Sequence, residues 1–379
     1  MLKTHRLDRR HFLVSTASTA SLALTPLPIG AQSGDSTNEA SLAWHDVRDW
    51  GVEGKGWTDT ARYFDRLPAK AESTVRAAVW RLSRHSAGML VRFETDATEI
   101  HARYSLRSGQ LAMPHMPATG VSGVDLYAQD DQGRDRWLAV AFPREQQVNV
   151  RLANEIDRPT TGLRRYTVYL PLYNGVDSLE IGVPTHDRFQ PVPPRADKPL
   201  VFYGTSIMHG ACASRPGMSI TGILGRRLGF PVINLGFSGN GRMEVAVGDL
   251  LAELDAAAYI IDCLPNMRAD GVAQRTEPLV EQLRHAHSDA PILLVEDRTY
   301  DYARFRRPSR DRHQASRAAL RAAFEKLKGR GVGNLYYLQG DSLLGTDGEA
   351  TTDGSHPNDL GMMRYADAYA PKLRAILSS

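Results

Sequence analysis

Near residue 198 the hydrophobic rhythm of this 379-residue chain changes. Beyond that point PLVFYG, PVINLG, AAYIIDC, PILLVED and NLYYLQG are continuous apolar runs. Between them lie the helical stretches MSITGILGRRL, MEVAVGDLLAEL, RTEPLVEQLRHAH and QASRAALRAAFEKLK. A strand that is apolar on both faces must be covered on both faces. Alternation with helices therefore predicts a parallel sheet sandwiched between two helical layers over residues 198–379. In such sheets function gathers in the loops at the carboxyl ends of the strands.

The preceding part reads differently. From about 75 to 195, AAVWRLSRH, MLVRFET, EIHARYSL, GVDLYAQD, RWLAVAF, NVRLA, YTVYLPLY and SLEIGV are short runs rich in β-branched and aromatic residues. Turn residues separate them, as in DDQGRD and NGVD. Strands at this spacing predict a β-sandwich or jelly roll, placed at residues 40–190. Three prolines in FQPVPPRADK, residues 189–198, read as a linker.

Residues 1–31 form a third segment. A charged start with Arg9-Arg10, an apolar stretch from Val14 to Leu24 and small residues near Ala31 make an export signal. The arginine pair followed by His11-Phe12-Leu13 resembles a twin-arginine signal, which implies a bacterial periplasmic or secreted protein. Residues 32–40 read as a spacer. The net charge of +3 resides in this segment, and the remainder balances 42 basic against 42 acidic residues. A neutral chain lacks the footprint of a nucleic-acid binder. No run reaches eighteen apolar residues, so stable membrane insertion is not expected. No metal-ligand cluster or phosphate-binding lysine loop is present, and no cofactor is implied.

Four loops after residue 198 carry suggestive residues. The first strand ends in GTSIMHG, with Ser206 at the turn. The second ends in NLGFSGNG, where Gly239 leaves a backbone N–H free to point into a crevice. The third ends in DCLPNM, with Asn266 after a proline. The last loop, TTDGSHPNDLG, holds Asp353 and His356. A serine hydroxyl is a weak nucleophile without a base, and histidine suits that task. The base needs an acceptor on its other nitrogen, a place Asp353 fits. The N–H groups of Ser206 and Gly239 and the Asn266 amide are candidate oxyanion donors.

This set resembles the SGNH hydrolase superfamily, the GDSL-type esterases and lipases, in order and spacing over residues 199–379. The resemblance implies Ser206 as nucleophile, Gly239 and Asn266 as the block glycine and asparagine, and Asp353 with His356 as the Asp-x-x-His pair. It implies a flavodoxin-like three-layer α/β/α fold with five parallel strands. The usual Gly-Asp-Ser is Gly204-Thr205-Ser206 here, and the usual Gly-x-Asn-Asp is Leu264-Pro265-Asn266-Met267. EGKGWTDT, YFDRLP, VWRLSRHSAG and GVDLY resemble the GxDLY-type β-domain that precedes one branch of these hydrolases. The expected activity is serine esterase on small acyl esters, acetyl foremost, on a small-molecule or carbohydrate partner. A lipid or thioester hydrolase on the same machinery and a catalytically retired carbohydrate-binding protein are the alternatives.

Further candidates have bland counterparts. His209, Glu296, Asp125 and Tyr127 are candidate substrate contacts. For them a structural histidine, a solvated charge cluster and a turn cap are the competing readings. Cys212 and Cys263 are either a disulfide near the site or two buried thiols. The loop Gln110–Tyr127, with its methionines and a histidine, is a candidate pocket wall.

Overall fold

The structure, a computed structural model, describes residues 41–378. The export-signal reading falls on residues 1–31, outside the described residues. Strands β1 (Leu42–Asp46), β2 (Leu90–Thr95), β3 (Ile100–Leu106), β4 (Asp125–Gln129), β5 (Asp135–Val140), β6 (Gln147–Ala153), β7 (Arg164–Tyr169), β8 (Val176–Pro184) and β9 (Phe189–Val192) build two antiparallel sheets. Their orders are β1-β8-β3-β6 and β5-β4-β7-β2-β9. Alternate side chains such as Phe93, Leu126, Tyr166, Leu179 and Ile181 share one buried core. That is the two-period of half-buried strands resolved into a β-domain.

Two expectations fail here. AAVWRLSRH is not a strand: Ala77–Ser83 is a helix, α2, just after the short helix α1 (Ala71–Thr74). Its Val79 and Trp80 do not join the β core. With Trp57, Leu67, Ala71 and Val75 they pack into the core beneath the parallel sheet. The supposed linker also begins inside a sheet. Phe189–Val192 pairs antiparallel with β2, and Pro191 sits opposite Phe93. Proline is tolerated there because β9 is an edge strand that needs no outward donor. A third helix, α3 (Ala118–Val121), interrupts the loop between β3 and β4.

The second half follows its sequence rhythm. Strands β10 (Leu200–Gly204), β11 (Val232–Gly236), β12 (Ala258–Asp262), β13 (Ile292–Val295) and β14 (Leu335–Leu338) form a parallel sheet in the order β11-β10-β12-β13-β14. Helices α4 (Ser206–His209), α5 (Ile220–Leu228), α6 (Val245–Leu251), α7 (Ala269–Ala286), α8 (Arg307–Gly329) and α9 (Asp359–Leu377) connect and cover it. Strand β10 sends Val201 and Tyr203 to the face covered by α6, α7 and α8. It sends Leu200 and Phe202 to the face covered by α5 and α9. The result is the flavodoxin-like three-layer arrangement, with order reversing beside β10. In the parallel register Gly204 stands opposite both Gly236 and Asp262. The loops after β10, β11 and β12 therefore leave the sheet side by side.

Candidate active site

Ser206 is the first residue of α4, immediately past the end of β10. Thr205 caps that helix, its hydroxyl accepting from the Ile207 N–H at 3.3 Å. Threonine thus takes over the capping that an aspartate would provide in Gly-Asp-Ser, which explains why the substitution leaves the turn intact. Ser206 is only 6% exposed, so little of it faces solvent.

The hydroxyl meets His356, with Ser206 Oγ 2.8 Å from His356 Nε2. The other ring nitrogen, Nδ1, lies 2.7 Å from Asp353 Oδ2. Asp353 also accepts backbone N–H bonds on Oδ1, from His356 at 2.7 Å and Ser355 at 2.9 Å. Partial burial by itself would raise the Asp353 carboxyl. The N–H bonds and the imidazole outweigh it and hold the group below the usual carboxylate range. A further layer fixes this loop. Arg298 donates from Nε to the Ser355 carbonyl at 3.2 Å and from Nη2 at 3.1 Å, and it pairs with Asp297.

The loop after β11 is drawn tight against the nucleophile turn. Phe237 donates its N–H to the Gly204 carbonyl at 2.9 Å. A Cβ on Gly241 would lie 2.0 Å from that same carbonyl oxygen, so only glycine fits. Gly239 is left-handed at φ 69° and exposed. Among the described residues no acceptor engages the N–H of Gly239 or Ser206. Asn266 ends a short 3-10 turn after β12. Its Oδ1 accepts from the Gly241 N–H at 3.2 Å, which fixes the amide and leaves its NH₂ as a donor.

Each of the four candidate substrate contacts is engaged within the protein itself. His209 is buried, stacks on Tyr173 with ring centroids 4.1 Å apart, and lies 3.3 Å from His85 Nδ1. Burial, then the adjacent Arg66, push its pKa far down, so it is a neutral packing residue. Glu296 is buried and fully engaged by Arg321, Tyr337 and the Gly340 N–H, at 2.7, 2.7 and 2.9 Å. Asp125 is also buried, accepting from Trp137 at 2.9 Å, Arg215 at 2.9 Å and the Gly217 N–H at 2.8 Å. Tyr127 is buried with its hydroxyl 2.6 Å from Arg215. Asp125 and Tyr127 fasten the β-domain to the segment following α4 and leave nothing for a substrate. The cysteines are two buried free thiols, and burial raises Cys212 to about 11.

One group escaped the sequence reading. Arg66, from the loop before α1, is buried and donates to four carbonyls. These are His85 at 2.9 Å, Leu82 at 2.6 Å, Asn234 at 3.0 Å and Gly236 at 2.8 Å. The last two belong to β11, which carries the Gly239 loop. Arg66 Nη2 also lies 3.4 Å from His209 Nε2, and no sequence signal marks an arginine whose partners are mostly backbone carbonyls. His115, the histidine of the candidate wall loop Gln110–Tyr127, has its ring centroid 6.0 Å from that of His356.

Comparison with known proteins agrees with this architecture. The model of the GDSL-like Lipase/Acylhydrolase family matches residues 197–374, and that of the N-terminus of SGNH-hydrolase-type esterases matches 42–189. A GDSL-like lipase structure from Bacteroides ovatus is 33% identical, with TM-score 0.84, covering 89% of this chain and 98% of its own. A family two carbohydrate esterase from Cellvibrio japonicus shares the fold at 13% identity and TM-score 0.57, over 89% of this chain and 98% of its own. An acetyl xylan esterase from Butyrivibrio proteoclasticus does so at 12% and 0.53, over 89% and 99%. No curated protein matches the chain. The chain belongs to the GDSL-type SGNH hydrolases, in the branch with an N-terminal GxDLY domain, and it is an ester hydrolase. Among the described residues no helix is long and apolar enough to cross a membrane.

Proposed function

We propose that this chain is a serine esterase that removes small acyl groups, acetyl foremost, from hydroxyl-rich alcohols such as sugars. What carries the reading is the chain of hydrogen bonds Ser206–His356–Asp353, at 2.8 and 2.7 Å. His356 accepts the Ser206 proton as Oγ attacks the ester carbonyl. The N–H groups of Ser206 and Gly239 and the Asn266 amide stabilise the oxyanion. Collapse of the tetrahedral intermediate breaks the ester C–O bond, and His356 returns the proton to the departing alcohol. Water, activated by the same imidazole, then hydrolyses the acyl-enzyme to the free acid and regenerates Ser206. Asp353 holds the tautomer and supports the imidazolium. The carbohydrate esterases that share the fold, and the β-domain beside the site, support the sugar alcohol as substrate.

Ser206→Ala tests the reading. It removes one hydroxyl from a turn capped by Thr205, so the fold should persist while hydrolysis of a short aryl acetate disappears. A phosphonofluoridate or sulfonyl fluoride should add to the wild type at Ser206 and leave the variant unlabelled. Activity or labelling retained in the variant would require another nucleophile. The domain division at 40–190 and 198–379 and export through residues 1–31 belong to the same proposal. Activity found only in the cytoplasmic fraction of cells expressing the full chain would remove export from it.

A further inference from the structure

We propose that His115, on the β-domain, is a specificity-determining residue that binds a hydroxyl of the leaving alcohol next to the ester. This inference rests on the serine-esterase reading above. It begins with the turn that carries His115. The Met113 N–H donates to the Met116 carbonyl at 2.9 Å, and the Met116 N–H returns to Met113 at 3.0 Å. These bonds close a tight turn with Pro114 and His115 at its tip. Proline at the first central position fixes φ, so the tip is preset rather than ordered on binding.

The turn is anchored to the catalytic half close to the nucleophile. The Met116 side chain is buried in the same cluster as Ile207, Met208 and Ala213. Thr119 donates from Oγ1 to the Ser214 carbonyl at 2.6 Å. A few residues later, Asp125 accepts from Arg215 and the Gly217 N–H. The segment just after α4 is therefore held to the His115 turn from two sides.

The imidazole itself is exposed, and among the described residues it makes no hydrogen bond or ion pair. Its ring lies 6.0 Å from that of His356, with the planes tilted by 32°. Both nitrogens of His356 are committed, one to Ser206 and one to Asp353. His115 thus supplies an unengaged donor and acceptor beside the base, contributed by the other half of the molecule.

Chemistry decides which part of the substrate it meets. The departing alcohol receives its proton from His356, so its oxygen must leave next to that ring. In a sugar or polyol the neighbouring carbon carries a second hydroxyl, one bond length further out. A hydroxyl placed there lies between the two imidazoles and can bond to His115. A phenol leaving group has no such hydroxyl and gains nothing from it. His115 therefore favours esters of vicinal diols through binding and takes no part in proton transfer.

The test compares glycerol monoacetate, whose alcohol is a polyol, with 4-nitrophenyl acetate, using the full chain. His115→Ala should lower kcat/KM on the diol ester about tenfold, mostly through KM, the equivalent of about 1.4 kcal/mol. On the aryl ester the change should stay within about twofold. His115→Gln, which keeps a hydrogen-bonding head, should recover part of the loss. Equal losses on both esters, no loss on either, or a wild type active only on the aryl ester would overturn the proposal. Ser206→Ala run alongside separates the two levels. If that variant stays active, the serine-esterase reading falls, whatever His115 does.

Discussion

The two halves of this molecule meet the same site with different means. The α/β half contributes the proposed reacting groups Ser206, Gly239, Asn266, Asp353 and His356 from loops at strand ends, each attached to a sheet buried on both faces. The β-domain contributes clamps: Arg66 on the ends of β11, Asp125 on Arg215 and Gly217, and the His115 turn near the base. The first half is legible as a pattern because parallel-sheet packing writes continuous apolar runs into the sequence. The second is not, because a clamp is defined by where its partner lies, and Arg215 is 90 residues from Asp125. Reacting groups and holding groups should therefore respond differently to substitution.

The sharpest contrast is Ser206→Ala against any β-domain change. Losing the nucleophile should reduce kcat on the order of 10⁴–10⁶, with the melting temperature nearly unmoved. Arg66→Met should do the opposite in kind. It strips the donor from four buried carbonyls and should cost about 3–5 kcal/mol in a denaturant titration. Whatever protein remains folded should still hydrolyse 4-nitrophenyl acetate. A stable Arg66→Met protein would show that the clamp is dispensable and that the comparison is drawn too strongly.

Asn266→Ala falls between these. The amide is fixed by the Gly241 N–H; as a proposed oxyanion donor its loss should lower kcat about 10²–10³ with KM little changed. Normal kcat would reduce Asn266 to a turn residue. The smallest effect is on pH. His356 must be neutral to take the serine proton, so kcat/KM should fall toward acid, about tenfold per unit at the limit. Asp353 is held below the usual carboxylate range, so its own protonation should enter only at lower pH. The acid limb should therefore report one group. A limb of slope two in a stopped-time assay between pH 4 and 8 would show that Asp353 titrates with it.

The residues that misled the sequence reading did so for identifiable reasons. AAVWRLS has strand-like composition, yet Val79 and Trp80 pack against the underside of the parallel sheet, where a helix fits. Proline in FQPV suggested a break, but an edge strand accepts it. Glu296, Asp297 and Arg298 look like a solvated cluster at a strand end. They are buried, and Arg298 spends its guanidinium on the His356 loop. Burial and long-range pairing decide all of these, and neither is a local property of the chain. The candidate loops stand out in the sequence because their features are local: glycines after a strand, and an aspartate three residues before a histidine.

That last spacing has a consequence for how the site comes into being. The Asp353–His356 pair closes over three residues, so it can form within a single turn, at almost no cost in chain entropy. The bond from His356 to Ser206 spans 150 residues. Closing so long a loop carries a far larger entropic cost, which the docking of α9 helps to offset, through Phe202 with Tyr369 and the Ser214 N–H with Asp359. The Asp353–His356 contact is thus local, whereas the Ser206–His356 contact depends on the seating of α9 and so on the fold as a whole.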